Sequence, residues 1–143
     1  MAAGSFFVYD SWKAEAGKSG GNLSSVTFYG HLVSAAYTPS ALDLSSTAIA
    51  HAISGVSGYA TKVLGNVEWS SSVTGTYRMD CDDVVFTTSA IMTPKYFVVT
   101  RKADGKPVCG CDLNTASASG VDCTQATITM PAGGLFNISG ATP

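Results

Sequence analysis

The chain carries little charge of either sign. Only 13% of its 143 residues are Asp, Glu, Lys or Arg, about half the share of roughly 25% that is usual in soluble domains. Eight basic residues stand against ten acidic ones, so there is no cationic excess to neutralise phosphates or lipid headgroups. This balance argues against a nucleic-acid-binding protein. A surface of hydroxyls and backbone is better suited to burial against other subunits.

Long apolar runs are also missing. No stretch approaches the roughly 18 residues that a membrane-spanning helix needs, so we expect no membrane partner. The first residues have no positive segment, and the apolar stretch 6–9 is too short for a signal-peptide core. Synthesis in the cytoplasm is therefore expected. The length and a hydrophobic share of 45% predict a single domain over residues 1–143.

Histidine, the most frequent general acid or base in enzymes, occurs only twice. His31 alternates with Tyr29 and Val33 in a predicted strand, which indicates a half-buried structural histidine. His51 falls in a predicted helix with no carboxylate or cysteine at ligand spacing. The segment 55–58 (Gly-Val-Ser-Gly) lacks the second glycine of a nucleophile elbow. We therefore predict no catalytic residues, no cofactor and no enzymatic activity.

An acidic cluster at residues 80–83 (Asp-Cys-Asp-Asp) brings three carboxylates together in the sequence. Hard cations such as calcium prefer oxygen ligands, but the rest of a calcium-binding loop is missing here. The segment also precedes a predicted strand, where a solvated turn is expected. We therefore predict a turn and no metal site.

From Gly58 onwards, turn residues recur at roughly ten-residue intervals between short runs rich in β-branched residues. This spacing predicts a mainly β protein, built as an antiparallel β-sandwich or jelly-roll-like barrel. One or two short helices are expected in the N-terminal half, over Asp10–Lys18 and Ser46–Ser54, and a turn is expected at Ser70–Ser72. The predicted strands cover residues 26–33, 59–69, 74–79, 84–88, 96–102, 107–113, 121–130 and 135–139.

Four cysteines are candidates for disulfides. Cys109 and Cys111 share one face of a predicted strand about 6.5–7 Å apart, too far to pair readily with each other. A hairpin centred on Ser117 would place Cys111 opposite Cys123, within reach of a disulfide after local twisting. Cys81 and Cys109 would then pair with each other or across subunits. The alternative is four buried thiols that act as small hydrophobic side chains.

Short motifs along most of the chain form a pattern that resembles the small virion structural proteins of tailed bacteriophages. The opening part of this pattern is a Y-x-x-W-K segment at Tyr9–Lys13, a strand at Thr27–Leu32 and Tyr37-x-Pro39. The later part comprises Gly58-Tyr59-Ala60, Trp69, Asp80-x-Asp82-Asp83-Val84-Val85-Phe86, Lys95-Tyr96-Phe97-Val98-Val99, a turn at Gly105, Cys111-Asp112-Leu113 and Pro131-x-Gly133-Gly134-Leu135-Phe136-x-Ile138.

This resemblance implies a β-sandwich decoration or minor capsid protein, present in many copies on a capsid head or neck surface and often trimeric. Its partners would be the major capsid protein or neighbouring decoration subunits, and it would be made in the host bacterial cytoplasm. Such proteins usually have few cysteines, so the four found here suggest a shell crosslinked after lysis, when the particle meets an oxidising medium.

Four aromatic residues near the N-terminus are candidates for an intersubunit contact arm, because large aromatic side chains often anchor interfaces. The alternative is that they pack on the core of their own domain. These candidates are Phe6, Phe7, Tyr9 and Trp12.

Two other functions compete with the capsid role. A host-recognition or carbohydrate-binding module of a tail or fibre would need an exposed aromatic platform, for which Tyr37, Tyr59 and Tyr77 are the candidates. A small hydrolase would need a histidine or a carboxylate pair in a site constellation. The sequence shows no such constellation, and the hydrolase is the least favoured interpretation.

Overall fold

A computed structural model describes residues 4–13, 25–40, 47–73, 76–132 and 134–139. Over these residues the chain is mainly β and sandwich-like, with antiparallel sheets, as the sequence predicts. The elements are a helical turn at residues 10–13, one helix, α1 (Thr47–Ala50), and the strands β1 (Phe7–Val8), β2 (Phe28–Val33), β3 (Lys62–Val63), β4 (Glu68–Val73), β5 (Thr76–Asp80), β6 (Val84–Met92), β7 (Tyr96–Arg101), β8 (Pro107–Asp112), β9 (Cys123–Ile128) and β10 (Phe136–Ser139).

The described strands form three sheets. The large sheet has five strands in the order β1-β8-β7-β2-β3. A three-stranded sheet has the order β10-β5-β4, and a two-stranded sheet pairs β6 with β9. Every pairing between neighbouring strands is antiparallel.

The sequence explains why the sheets differ in burial. Strands β7 and β8 are nearly continuous apolar runs, and almost all of their residues are buried. Strand β6 alternates instead: Val84, Phe86 and Thr88 are buried, whereas Val85 and Thr87 between them are exposed. Because successive side chains of a strand point to opposite faces, this alternation gives β6 one core face and one solvent face.

The core is centred on Phe97 of β7, which is fully buried. Its ring meets both Phe6 and Phe86 edge-on, with centroids 6.2 Å apart in each pair. Phe97 therefore joins the N-terminal segment, the large sheet and the two-stranded sheet. Gly30 on β2 makes room for this ring, because a Cβ atom there would lie only 2.7 Å from it.

The second predicted helix is shorter than the sequence predicts, and the first is described only in part. Residues 10–13 are helical, and the rest of the predicted helix Asp10–Lys18 lies outside the described residues. Of the helix predicted over Ser46–Ser54, only Thr47–Ala50 is helical; residues 51–54 are not, and Ser46 lies outside the described residues. Beyond Ala50, Ile53 donates its backbone N–H to a β2 carbonyl at 2.8 Å, so tertiary pairing with the sheet replaces helical hydrogen bonds.

One strand prediction is wrong in part, and one turn prediction is wrong. The strand predicted over residues 59–69 is interrupted by a turn at Gly65-Asn66, where Asn66 adopts a positive φ of 47°. The turn predicted at Ser70–Ser72 lies instead inside β4, which pairs with β5 through a bulge. Cross-strand pairing therefore overrides the local turn preference of serine. The other predicted strands occur with altered ends, and β6 continues to Met92. Strand β1 forms where the sequence predicts no strand.

The predicted hairpin that would bring Cys111 opposite Cys123 does not form. Strand β8 lies between β1 and β7, so Cys111 pairs with Phe97, whereas β9 pairs with β6 and places Cys123 opposite Met92. The hairpin that includes β8 is made with β7 through the turn at Gly105, whose φ is 68°. The segment after β8 then leaves the large sheet for the two-stranded one.

Candidate interaction groove

A groove of about 710 Å³ lies between β9 and the N-terminal segment 4–6. This segment runs beside β8, because Gly4 donates its N–H to the Asp112 carbonyl at 2.7 Å. Cys111 and Leu113, both buried, contribute to the lining from the large sheet. The groove therefore lies where the large sheet and the two-stranded sheet meet, and its volume is typical of a binding site.

The described residues that line the groove carry no charge. Its polar side chains are those of Ser5, Gln125, Thr127 and Thr129, and its other lining residues are apolar or glycine. A charged ligand would lose hydration here and gain no ionic partner from the lining, which is costly. The groove is therefore suited to a neutral occupant.

One backbone edge of strand β9 faces this groove. The Thr124 carbonyl accepts a hydrogen bond from Thr88 on β6 at 3.2 Å, and Met130 donates its N–H to Asp83 at 2.8 Å. Both contacts show that the backbone groups of even-numbered residues point towards β6. Because these groups alternate along a strand, the N–H and C=O groups of Gln125 and Thr127 point away from β6. No other described strand pairs with that edge.

Lys95 fixes the loop that follows β8, a role that its place in the sequence motif 95–99 does not indicate. Its side chain is 5% exposed, and its ammonium donates to both carboxylate oxygens of Asp112 at 2.7 Å. It also donates to the carbonyls of Asn114 at 2.6 Å and Ser117 at 2.7 Å. The loop therefore leaves β8 in a defined direction, which positions Leu113 in the groove.

All four cysteines are free thiols, and no pair lies at disulfide distance. Cys109 is fully buried in the large sheet, and burial raises its pKa well above the ordinary value. Burial also raises the pKa of Cys111 to about 12, and burial together with neighbouring aspartates does the same for Cys81. These three thiols act as small hydrophobic side chains, the alternative that the sequence left open.

Cys123 differs from the other three cysteines. It is only half-buried, lies on β9 and lines the groove. Burial and the neighbouring Asp122 still raise its pKa, so its thiol is protonated at neutral pH. An intersubunit crosslink through Cys109 would require the large sheet to open, whereas Cys123 is the most accessible of the four thiols.

The N-terminal aromatic residues pack mainly on their own domain. Tyr9 and Trp12 are each 1% exposed; Tyr9 shares a 2.6 Å hydrogen bond with the Tyr37 hydroxyl, and Trp12 packs edge-on against Phe28. These two belong to the core and do not form a free contact arm. Phe7 is half-buried against Tyr9, and Phe6 lines the groove.

His31 has a structural environment. It is 5% exposed, with Nε2 at 2.8 Å from the Thr100 hydroxyl and Nδ1 at 3.4 Å from that of Thr61. Burial lowers the pKa of His31 to about 4, so the ring is neutral at physiological pH. His51 stacks on Tyr37, with ring centroids 6.1 Å apart. The sequence interpretation of His31 as a structural strand histidine agrees with this burial.

The carboxylates of the acidic turn before β6, at residues 80–83, accept hydrogen bonds from other groups of the same chain. Asp82 accepts a hydrogen bond from the Asn66 side chain at 2.7 Å, and Asp83 accepts from the Met130 N–H. Asp80 accepts from the N–H of Cys81 at 2.9 Å. Within the described ranges, no group of three or more His, Cys, Asp or Glu residues is arranged to hold a metal ion.

Two of the three tyrosines considered for a carbohydrate platform are packed inward. Tyr37 is 2% exposed. The ring of Tyr59 stacks on Phe86, and its hydroxyl accepts the backbone N–H of Leu32 at 2.9 Å. The side chain of Tyr77 lies outside the described residues. Neither Tyr37 nor Tyr59 therefore presents an open face for stacking on a sugar.

Comparisons with protein-family models, curated proteins and solved structures found no match to this chain. In the part of the chain that the structure describes, no helix has the length and apolar character needed to cross a membrane.

Proposed function

We propose that this chain is a non-enzymatic structural protein of a tailed bacteriophage that decorates or cements the capsid in many copies. The phage assignment comes from the sequence resemblance, which also favours a trimer on the capsid surface. Its partners would be the major capsid protein or neighbouring decoration subunits. The mainly β, antiparallel fold is of the class that this resemblance implies.

The observation that carries the proposal is the neutral groove beside the free edge of β9. Backbone N–H and C=O groups along a strand edge are recognised best by another strand, because each strand then satisfies the hydrogen bonds of the other. The occupant that fits is a polypeptide without charged side chains. Such contacts are suited to subunit assembly.

The surroundings of the reactive side chains support the same proposal. His31 is held between two threonine hydroxyls, and the carboxylates of the acidic turn bind backbone and amide groups. Three of the four thiols are buried in the core. These groups stabilise the fold, which favours a structural role over hydrolysis.

The proposal can be tested with particles of the phage whose genome encodes this chain. Particles from a deletion mutant would be mixed with purified chain and separated on a density gradient, with an unrelated β-sandwich protein as the control. We expect the chain to sediment with the particles and to saturate at a fixed number of copies. A chain that stays at the top of the gradient would contradict the proposal, and specific binding to a glycan array would favour the tail-module alternative.

A further inference from the structure

We propose that β9 is a self-association edge, which pairs antiparallel with β9 of a second copy of this chain. The partner strand would lie in the groove between β9 and residues 4–6 and extend the two-stranded sheet into a four-stranded one across both molecules. This inference concerns the isolated protein in solution, whereas the trimer that the resemblance favours is one on the capsid surface. The two proposals share only the groove and the edge of β9.

Two residues of β9 direct their backbone N–H and C=O groups outwards from the sheet. The N–H and C=O of Gln125 and Thr127 point away from β6, and no described residue receives them. Antiparallel strands exchange hydrogen bonds through residues oriented in this way. A second strand alongside β9 would therefore satisfy the free groups of both residues.

The side chains of β9 divide between a solvent face and a core face, and a two-fold pairing of β9 strands preserves both faces. Gln125 and Thr127 are exposed on the solvent face, whereas Ala126 and Ile128 point towards the core and pair with Phe86 and Val84. A two-fold axis perpendicular to the sheet makes the two β9 strands antiparallel and keeps each face on its own side. The partner's Ala126 and Ile128 side chains would then face the floor of the groove.

The residue types of β9 favour pairing with a second copy of the same strand. Strand β9 reads Cys-Thr-Gln-Ala-Thr-Ile, without a charged residue or proline. Proteins usually protect exposed edges with lysine, proline or a bulge in the edge strand. A second β9 strand is therefore a suitable occupant of the groove. It is neutral and its inner face is apolar. Pairing two β9 strands also brings no like charges opposite each other. This complementarity favours a second copy as the occupant.

Proline substitution gives a sharp test, because it removes one edge N–H. Thr127→Pro would delete a donor that points away from β6, and the β6–β9 hydrogen bonds should survive. Thr127→Val, which keeps the N–H, is the matched control. In sedimentation equilibrium we expect the wild type and Thr127→Val to form dimers. For Thr127→Pro we expect a dissociation constant at least ~10-fold higher.

A pair of lysine variants covers the case in which Thr127→Pro fails to fold, as judged by circular dichroism. Gln125→Lys/Thr127→Lys places four lysines around the two-fold axis and should weaken the dimer at least ~10-fold. Thr87→Lys adds an exposed lysine on β6, opposite Gln125 but away from the edge, and should leave the dimer unchanged. Amide exchange at residues 125 and 127 should slow as the dimer forms.

A wild-type protein that is monomeric up to its solubility limit would overturn this inference. So would a dimer or trimer that none of the β9 variants weakens. In that case the capsid proposal would still stand on the sequence resemblance, because the β9 edge could pair with another virion protein. Conversely, a β9-dependent dimer that does not bind capsids would support the self-association edge and contradict the capsid role.

Discussion

The large sheet and the two-stranded sheet differ in how deeply their strands are buried and in how many neighbouring strands each has. In the large sheet, β7 and β8 are buried along almost their whole length, and each has a neighbouring strand on both sides. In the two-stranded sheet, β9 has Ile128 as its one buried residue and has no described strand along its outer edge. The large sheet is therefore part of the buried core, whereas the two-stranded sheet leaves a backbone edge that no described strand covers.

The strongest test of this difference is a truncation at the centre of the large sheet. Phe97→Ala should lower the free energy of unfolding by ~3–5 kcal/mol, because it leaves a cavity where three parts of the molecule meet. Thr127→Ala on the exposed face of β9 should change it by less than ~0.5 kcal/mol. Urea unfolding of both variants at a concentration where the protein is monomeric measures the contrast. Similar losses would mean that the two sheets contribute equally to stability.

A second test concerns the ion pair that fixes the loop after β8. Lys95→Met should cost ~2–4 kcal/mol, because it leaves the Asp112 carboxylate and two loop carbonyls without their ammonium partner. Lys106→Met is the matched control: its ammonium lies 3.9 Å from Asp104 in a more exposed pair, and its loss should cost less than ~1 kcal/mol. Equal midpoints in urea would contradict a structural role for Lys95.

The third test uses pH to probe the large sheet. His31 has a native pKa of about 4 against an ordinary 6.5, so the unfolded chain binds the extra proton as pH falls through this window. Its contribution is therefore complete above pH 6.5 and declines towards pH 4, by up to ~3 kcal/mol. His31→Gln should remove this part of the pH dependence. A slope that persists unchanged in His31→Gln would assign it to other groups.

The smallest expected effect concerns thiol reactivity. In the native protein a thiol reagent should modify Cys123 first, with Cys81, Cys109 and Cys111 reacting only as the protein opens. Cys123→Ser should abolish the fast phase and leave the unfolding midpoint nearly unchanged. On a gel without reductant, any ladder of oligomers from assembled particles should also disappear in Cys123→Ser. A ladder that persists would assign the crosslinks to the buried thiols.

The strands of the molecule differ in how well the sequence predicts them. Strands β6, β7 and β8 are predictable because alternation in β6 and near-continuous apolar character in β7 and β8 are local properties of the chain. The break at Gly65-Asn66 was missed because the apolar alternation of the neighbouring residues continues across a pair that favours turns.

The groove could not be predicted in the same way. It brings together residues 4–6, Leu113, β9 and Leu135, and only the order of strands in the sheets makes them neighbours. The polar segment after β8 is compatible with a hairpin and with a crossing between sheets. Its course is decided by non-local pairing, which also explains why Cys111 and Cys123 were wrongly placed opposite each other.

We propose that this chain is a structural component of a virion. The most direct measurement is quantitative mass spectrometry of gradient-purified virus particles from cultures that produce the chain, with the chain counted relative to the major capsid protein of those particles. We predict many copies per particle, in a fixed ratio between independent preparations. Particles that lack the chain, or carry only traces that vary between preparations, would contradict the claim.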